Sequence, residues 1–225
     1  MSVRVARRGA VWGSIAVAVA TAVVVTNVWG DAPRYTTASV PESLSADGTT
    51  IVLGAPDADV TVRVYEDMSC PFTREYETKG AGPGVHEAVL RGEIRAEYRL
   101  ATFLDRNGGN GSKKAANALR AALEQGKFAE FHRALMSAPA PAEGYTDAYL
   151  LERASTVKGL RGSAFDAAVK DMRYGAWIGA SENAYDEAGA PRTPTLEVNG
   201  NRLAEEDSWV AYEPDSVQSI VTYYR

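Results

Sequence analysis

Two segments in which apolar and polar side chains alternate place the tightest limit on how this chain can fold. Residues 58–66 read ADVTVRVYE, and residues 93–100 show the same alternation. A period of two is typical of β-strands. Between them, residues 70–91 read as two short helices separated by a glycine-rich break. Strand, helix and strand in this order predict a βαβ unit whose strands are parallel.

The following region is almost wholly helical in its pattern. From Ser112, which we predict as an N-cap, to about residue 187, apolar residues recur every three or four positions. Two extended runs, 195–198 and 201–203, then flank Asn199-Gly200, a dipeptide typical of a hairpin turn. Pro214 is predicted to start a last helix. The predicted order is β-α-β, a helical block, β-β and α.

The N-terminus predicts export. Residues 9–30 contain no charged side chain, and Arg4, Arg7 and Arg8 precede them. A helix of this length spans roughly 33 Å, close to the bilayer core of about 30 Å. The arginines should stay in the cytoplasm. We therefore predict a cytoplasmic basic tip and transmembrane signal anchor over residues 1–30, in a single-pass protein of the cell membrane with its C-terminal part outside.

A cleaved signal peptide followed by secretion is the alternative for this segment. Ala18-Val19-Ala20 and Ala20-Thr21-Ala22 resemble small-residue cleavage sites. Both lie inside the apolar run, so cleavage there would leave apolar residues attached to the exported chain. Either interpretation places the rest of the protein outside the cytoplasm, where thiols meet oxidising conditions.

Composition limits the classes open to the exported part. Residues 31–49 are rich in Pro, Ser, Thr and Ala without periodicity, which predicts a flexible linker before a folded domain at 50–225. The chain has 24 Lys and Arg against 29 Asp and Glu, and the first 30 residues hold three of the arginines. An acidic domain of this kind disfavours nucleic acid as a partner. One Cys and two His exclude an internal disulfide and a cysteine-based zinc site, so we predict no metal.

The single cysteine is the main candidate for chemistry. Cys70 follows the strand predicted at residues 58–66, at the point where a helix is predicted to begin, and Pro71 suits the first helical position. Free helix N–H groups at such a place stabilise a thiolate over a thiol. A lone cysteine is nevertheless more often a buried, unreactive side chain. The residue alone leaves both interpretations open.

Three segments in the same order resemble DsbA-type thioredoxin-fold proteins. The sequence DMSCPFT at 67–73 resembles the family's active-site stretch, in which an Asp three before C-P-x-C is common. QGKFAEFHRAL at 125–135 resembles its helical insertion, and RTPTLEVNG at 192–200 resembles its cis-proline segment running into a hairpin. The resemblance covers roughly residues 50–223. It implies an α/β thioredoxin-like fold with a helical insertion at about 112–187.

The resemblance also implies the layout of the site. Thr193-Pro194 would be a cis peptide facing Cys70, where its backbone would hydrogen-bond an extended polypeptide. Pro71 and Phe72 would line the same groove. Taken by itself, Pro194 is equally compatible with a strand-edge or turn proline. The implied partners are exported polypeptides or small thiols with an unidentified external reductant, and no cofactor is implied.

Thr73 departs from the family pattern, which usually has a second cysteine at this position. Because that thiol is absent, Cys70 cannot cycle as a dithiol oxidase by itself. The Thr73 hydroxyl is expected either to donate a hydrogen bond to the Cys70 thiolate or to bond only to backbone. Formation of mixed disulfides, shuffling of substrate disulfides and non-covalent binding all stay open.

Neighbouring cations and histidines allow further interpretations. Arg192, where the family often has Gly, and Arg74, one turn after Cys70, would favour a thiolate and anionic partners, or would be solvated charges. His86 and His132 raise the question of a cysteine hydrolase, but no triad motif supports one. The sequence also lacks nucleotide-binding, α/β-hydrolase and zincin motifs.

These observations predict a membrane-anchored, monothiol relative of the DsbA-like thiol–disulfide exchange proteins. Cys70 would be the nucleophile, Thr73 the partner of its thiolate, and Thr193-Pro194 the wall of the substrate groove. The main alternative is a redox-silent binding module that uses the groove without covalent chemistry. A small-thiol or peroxide reductase is a third possibility.

Overall fold

The computed structural model describes residues 32–224, apart from the side chain of Asn107. The predicted membrane anchor at residues 9–30 lies outside this range. Between residues 32 and 224, no helix combines the length and the apolar character needed to cross a bilayer.

A single mixed sheet organises the described residues. Its strands are β1 (Glu42–Leu44), β2 (Ile51–Leu53), β3 (Val60–Asp67), β4 (Ile94–Ala101), β5 (Thr195–Val198) and β6 (Asn201–Arg202). Their order across the sheet is β1-β2-β4-β3-β5-β6. Strands β3 and β4 are parallel, with Val60 opposite Ile94 and Asp67 opposite Ala101, and the other pairs are antiparallel. The predicted βαβ unit and the predicted hairpin are both confirmed.

Helices supply the rest of the regular structure. They are α1 (Pro71–Lys79), α2 (Gly82–Arg91), α3 (Gly111–Leu123), α4 (Phe128–Ser137), α5 (Asp147–Ala154), α6 (Ser163–Lys170), α7 (Gly175–Ala188) and α8 (Ser216–Tyr224). Two short 3₁₀ helices, Phe103–Asn107 and Glu205–Tyr212, follow β4 and β6. Helices α3 to α7 form the insertion, whose bounds agree with the predicted 112–187 to within a residue.

The alternation in β3 directs its side chains to two separate cores. Val60, Val62 and Val64 join the large core with residues of α2, α3 and α4. Tyr65 points to the opposite face, because successive strand residues alternate. There it packs with Ala101 and with Tyr185 of α7. Helices therefore cover both faces of the sheet, and β3 lies near its centre.

The folded domain begins earlier than the sequence predicts. Strand β1 lies inside the segment 31–49 that was predicted as a linker, and Val40 is buried beside it. The backbone N–H of Tyr35 also donates to the Leu90 carbonyl over 2.9 Å. A strand of three residues is too short to produce a recognisable period, so composition alone gave the wrong interpretation here.

Two helix starts also differ from their predictions. Ser112 is the second residue of α3 and not its N-cap, which is Asn110. The Ser112 hydroxyl donates instead to Asp67 Oδ1 over 2.6 Å. The last helix begins at Ser216, two residues after Pro214.

Candidate active site

Cys70 occupies the junction between β3 and α1. It is the N-cap residue of α1 in an extended backbone conformation, and Pro71 follows at the start of the helix. Its side chain makes no capping hydrogen bond, is only 7% exposed and forms no disulfide. The predicted strand-to-helix position is confirmed. The thiol is more deeply buried than that of a fully exposed nucleophile.

The pairing of β3 with β5 brings a distant segment against this thiol. Tyr65 lies opposite Thr195 in the antiparallel register, so the residues just before β5 lie beside the end of β3. The Thr193-Pro194 peptide is cis, as the resemblance implied. The Cys70 thiol donates a hydrogen bond to the Thr193 carbonyl, with Sγ and O 3.2 Å apart. The structure thus assembles Cys70, Thr193 and Pro194 into one site.

The hydroxyls of two threonines at the site are unpaired. The Thr73 side chain is fully buried, and Thr193 is 3% exposed. Within residues 32–224, neither Oγ1 atom has a hydrogen-bond partner. The Thr73 hydroxyl therefore makes neither of the two bonds that were expected of it in this thiol state. Its role toward a thiolate stays a prediction.

Asp67 fixes the shape of the loop that carries Cys70. Its Oδ1 accepts from the Ser69 backbone N–H at 3.0 Å and from the Ser112 hydroxyl, and its Oδ2 accepts from the Leu104 N–H at 3.1 Å. Burial raises the pKa of Asp67, while these hydrogen bonds oppose the rise. The carboxylate ties the loop to α3 and to the first 3₁₀ helix. The resemblance pointed to this residue, but its role needed the structure.

Both arginines have partners other than the thiol, and of the two alternatives for Arg192 the exposed charge fits its contacts. Arg74 Nη1 donates to the carbonyls of Met136 and Ala138, each at 2.6 Å, at the end of α4. Its Nη2 donates to the Tyr145 hydroxyl, which in turn donates to the backbone beside the site. Arg192 forms an exposed ion pair with Glu205 over 2.9 Å. Arg74 is thus a structural cap on α4, a role for which the local sequence holds no signal.

The surface near the site has two apolar features. Phe72 follows the start of α1 and is 57% exposed. Next to Pro194 lies a cavity of about 380 Å³. Its lining includes Arg192, Leu196, Leu203, Ser208 and Ala211. The second 3₁₀ helix forms part of this wall, and it was missed at the sequence level because such short turns have no apolar period.

The two histidines serve other contacts. His132 Nε2 lies 2.9 Å from Glu66 Oε2, and Glu77 lies 4.0 Å from the other ring nitrogen. We call Glu66, Glu77 and His132 the buried acid–imidazole cluster. His86 Nε2 hydrogen-bonds the Thr37 hydroxyl at 2.9 Å. With both imidazoles engaged in this way, no contact of theirs supports a cysteine–histidine hydrolase.

Burial governs the charge of the buried acid–imidazole cluster. It raises the pKa of Glu66 to about 7, raises that of Glu77 well above the usual range, and lowers that of His132. One ligand atom from each of the three lies within 4.8 Å of the others, which is close enough for a metal ion. The hydrogen bond between His132 and Glu66 is the simpler account of the arrangement, since carboxyl groups this buried retain protons.

The architecture and the site together define a thioredoxin-fold protein with one thiol at the start of its first helix and a cis-proline beside it. The family model described as thioredoxin matches residues 46–214. The chain therefore belongs to the thioredoxin family. No curated protein matches its sequence.

Several solved structures of bacterial proteins are similar to this fold. BdbD from Bacillus subtilis is 18% identical at a TM-score of 0.67, with 82% of this chain and 97% of that chain covered. A thioredoxin-like oxidoreductase from Silicibacter pomeroyi DSS-3 is 27% identical at a TM-score of 0.60, covering 80% and 92%. DsbA from Mycobacterium tuberculosis is 21% identical at 0.57, covering 83% and 99%. The expected thioredoxin-like fold with its helical insertion is confirmed.

Proposed function

We propose that the protein is a thiol–disulfide exchange protein that works through mixed disulfides at its single cysteine. The observation that carries the proposal is the 3.2 Å hydrogen bond between Cys70 Sγ and the Thr193 carbonyl. The bond joins the thiol at the start of α1 to the residue that precedes the cis-proline, which is where a substrate cysteine would have to approach. The family membership and the oxidoreductase among the similar structures support the same chemistry.

The reaction follows from the chemistry of one thiolate. Cys70 attacks one sulfur of a partner's disulfide, a new S–S bond forms, and the partner's other sulfur leaves as a thiolate. The chain contains one cysteine, so it cannot resolve this mixed disulfide itself. A second thiol, from the same partner or from a small molecule, must attack and release Cys70. We therefore propose isomerase-like exchange or reduction, with the reductant supplied from outside.

The partner is expected to be an exported polypeptide or a small thiol. An extended chain can place its cysteine against Cys70 while Pro194 and the adjacent cavity contact the flanking residues. The exposed Phe72, two residues after Cys70, offers a further apolar contact. The anchor proposed for residues 9–30 would hold this activity at the outer face of the cell membrane, and cleavage of that segment would release it instead.

A redox-silent binding module is the second candidate, and the burial of Cys70 favours it. A thiol that is only 7% exposed reacts slowly with a bulky disulfide unless the site opens. In such a module the cavity beside Pro194 would hold a partner without any bond to sulfur.

The test is capture of a mixed disulfide by the full-length protein. We would add a peptide disulfide and, separately, glutathione disulfide, and then measure the intact mass. Exchange predicts one adduct per chain, formed faster by the folded protein than by the unfolded one. Cys70→Ser, the matched control, should form none. An adduct that forms only after unfolding would refute exchange and leave the binding module.

A further inference from the structure

Two unpaired hydroxyl groups flank the only thiol of the chain. Thr73 Oγ1 and Thr193 Oγ1 are buried, and neither has a hydrogen-bond partner among residues 32–224. Buried polar atoms are rarely left unpaired, and each such case calls for a physical explanation. Two such hydroxyls near one sulfur atom indicate that the site suits a ligand, or an oxidised form of the cysteine, that carries an oxygen able to accept their hydrogen bonds.

Both threonines are neighbours of Cys70, one along the chain and one across the fold. Thr73 is three residues after Cys70, and residues three apart lie on the same face of a helix. Thr193 contacts the sulfur directly, because its carbonyl accepts the thiol's hydrogen bond at 3.2 Å. Two residues next to the thiol therefore carry hydroxyls that have hydrogen bonds left to donate.

We propose that small hydroperoxides oxidise Cys70 to a persistent sulfenic acid, whose oxygen accepts hydrogen bonds from the hydroxyls of Thr73 and Thr193. This activity goes beyond disulfide exchange and does not depend on it. A hydroperoxide has a two-oxygen reactive end, which makes it a far smaller reagent than a polypeptide disulfide. A thiol that is only 7% exposed is more easily reached by the smaller molecule.

The oxidation step balances without any further cofactor. The Cys70 thiolate attacks the outer oxygen of the hydroperoxide, so an S–O bond forms as the O–O bond breaks. The departing oxygen takes up a proton and leaves as an alcohol, or as water when the oxidant is hydrogen peroxide. The sulfur loses two electrons and the peroxide gains them.

Persistence follows from the absence of a second thiol. A sulfenic acid normally condenses with a nearby thiol to give a disulfide. The chain has no other cysteine, and Thr73 presents a hydroxyl that cannot take part in that condensation. A low-molecular-weight thiol completes the cycle: it attacks the sulfenic sulfur and expels water, and a second such thiol then restores Cys70.

The test traps the sulfenic acid in the full-length protein. We would treat the protein with hydrogen peroxide, remove the excess, and add a 1,3-diketone probe after increasing delays. Intact mass should show one adduct per chain, which Cys70→Ser abolishes. The absence of any adduct in the wild-type protein would overturn the proposal.

Isosteric variants test the two hydroxyls. Thr73→Val and Thr193→Val should each shorten the lifetime of the sulfenic acid about tenfold, because each variant removes one buried hydrogen bond to the sulfenic oxygen. Thr73→Ser should keep most of the lifetime. Thr78→Val is the matched control on the same helix, because that hydroxyl is exposed and donates to the Arg74 carbonyl. Unchanged lifetimes in both valine variants would overturn the proposal.

Thr73→Cys gives an independent result if a valine variant fails to fold. Peroxide should then produce a disulfide between the two cysteines, seen as a loss of two hydrogens, and no diketone adduct. A stable adduct in this variant would show that position 73 does not face the sulfur, contrary to the proposal.

The two proposals can fail separately. Mixed disulfides without sulfenic acid would overturn the peroxide reaction alone. Sulfenic acid without mixed disulfides would refute exchange alone and support the peroxide reaction.

Discussion

Asp67 shows how one side chain can determine the geometry of a site without touching its reacting atom. Its carboxylate holds the backbone N–H groups of Ser69 and Leu104 and the Ser112 hydroxyl. The Cys70 N–H in turn donates to the Asp67 carbonyl over 2.9 Å. Asp67 therefore holds the loop that carries Cys70 by hydrogen bonds to both its side chain and its backbone carbonyl.

Replacement of Asp67 should weaken the whole domain. Asp67→Ala removes the acceptor of the Ser69 and Leu104 N–H groups and one partner of the Ser112 hydroxyl, and we expect a loss of about 3 kcal/mol in the free energy of unfolding. Urea unfolding at neutral pH measures it. Asp57→Ala is the control, since that carboxylate forms only an exposed ion pair with Arg34 and should cost less than about 1 kcal/mol. Equal losses would show that the carboxylate network adds nothing.

At the level of elements, helix α4 is held at both ends by groups remote in sequence. Glu42 of β1 accepts hydrogen bonds from the N–H groups of Phe128 and Ala129 at its first turn, at 2.9 and 2.7 Å. Arg74 of α1 donates to carbonyls at its last turn. Both contacts place charges of the sign that the helix dipole favours.

Removal of the Arg74 cap should therefore destabilise α4 more than an ordinary surface change. Arg74→Met keeps the aliphatic stem but leaves the carbonyls at the helix end without a donor, with an expected loss of about 2 kcal/mol. Thermal or urea unfolding measures the effect. Arg34→Met, which breaks an exposed ion pair with Asp57 and a cation–π contact with Tyr35, should cost less than about 1 kcal/mol. A similar loss in both variants would contradict the capping role.

Some elements could be predicted from sequence, and others could not, for a local reason. Strands β3 and β4 alternate over eight residues each, and that period identified them. Strand β1 has three residues and the Glu205–Tyr212 segment is a 3₁₀ helix, so neither carries a usable period. The family resemblance located the cis-proline. The unpaired hydroxyls and the cap on α4 depend on contacts between distant residues, which no local pattern records.

At the scale of the whole molecule, the buried acid–imidazole cluster should make stability depend on pH. Burial raises the pKa of Glu66 from 4.5 to about 7. Between these two pH values the folded chain keeps a proton on Glu66 that the unfolded chain has already lost. Stability should thus fall as pH rises from 5 to 7.5. The raised pKa of Glu77 likewise makes stability fall as pH rises. The lowered pKa of His132 acts in the opposite direction, because it makes stability fall as pH falls below about 6.5.

Glu66→Gln should remove one of these contributions. Between pH 5 and pH 7.5, the free energy of unfolding of the variant should rise by on the order of 3 kcal/mol relative to that of the wild type, because its amide does not titrate. Urea unfolding across this range measures the difference. Asp47→Asn is the control: the Asp47 pKa of about 2 lies below the range, so its effect should be the same at both ends. A constant difference for Glu66→Gln would contradict the assignment.

The pairing of β3 with β5 also determines when the thiol becomes buried during folding. Cys70 precedes its hydrogen-bond acceptor, Thr193, by 123 residues, and the whole helical insertion lies between them. Contacts so distant in sequence form late in folding, because a long loop must close first. An emerging chain therefore exposes its thiol until β5 joins the sheet. The thiol is therefore most vulnerable to unwanted oxidation during folding, before the fold has enclosed the sulfur.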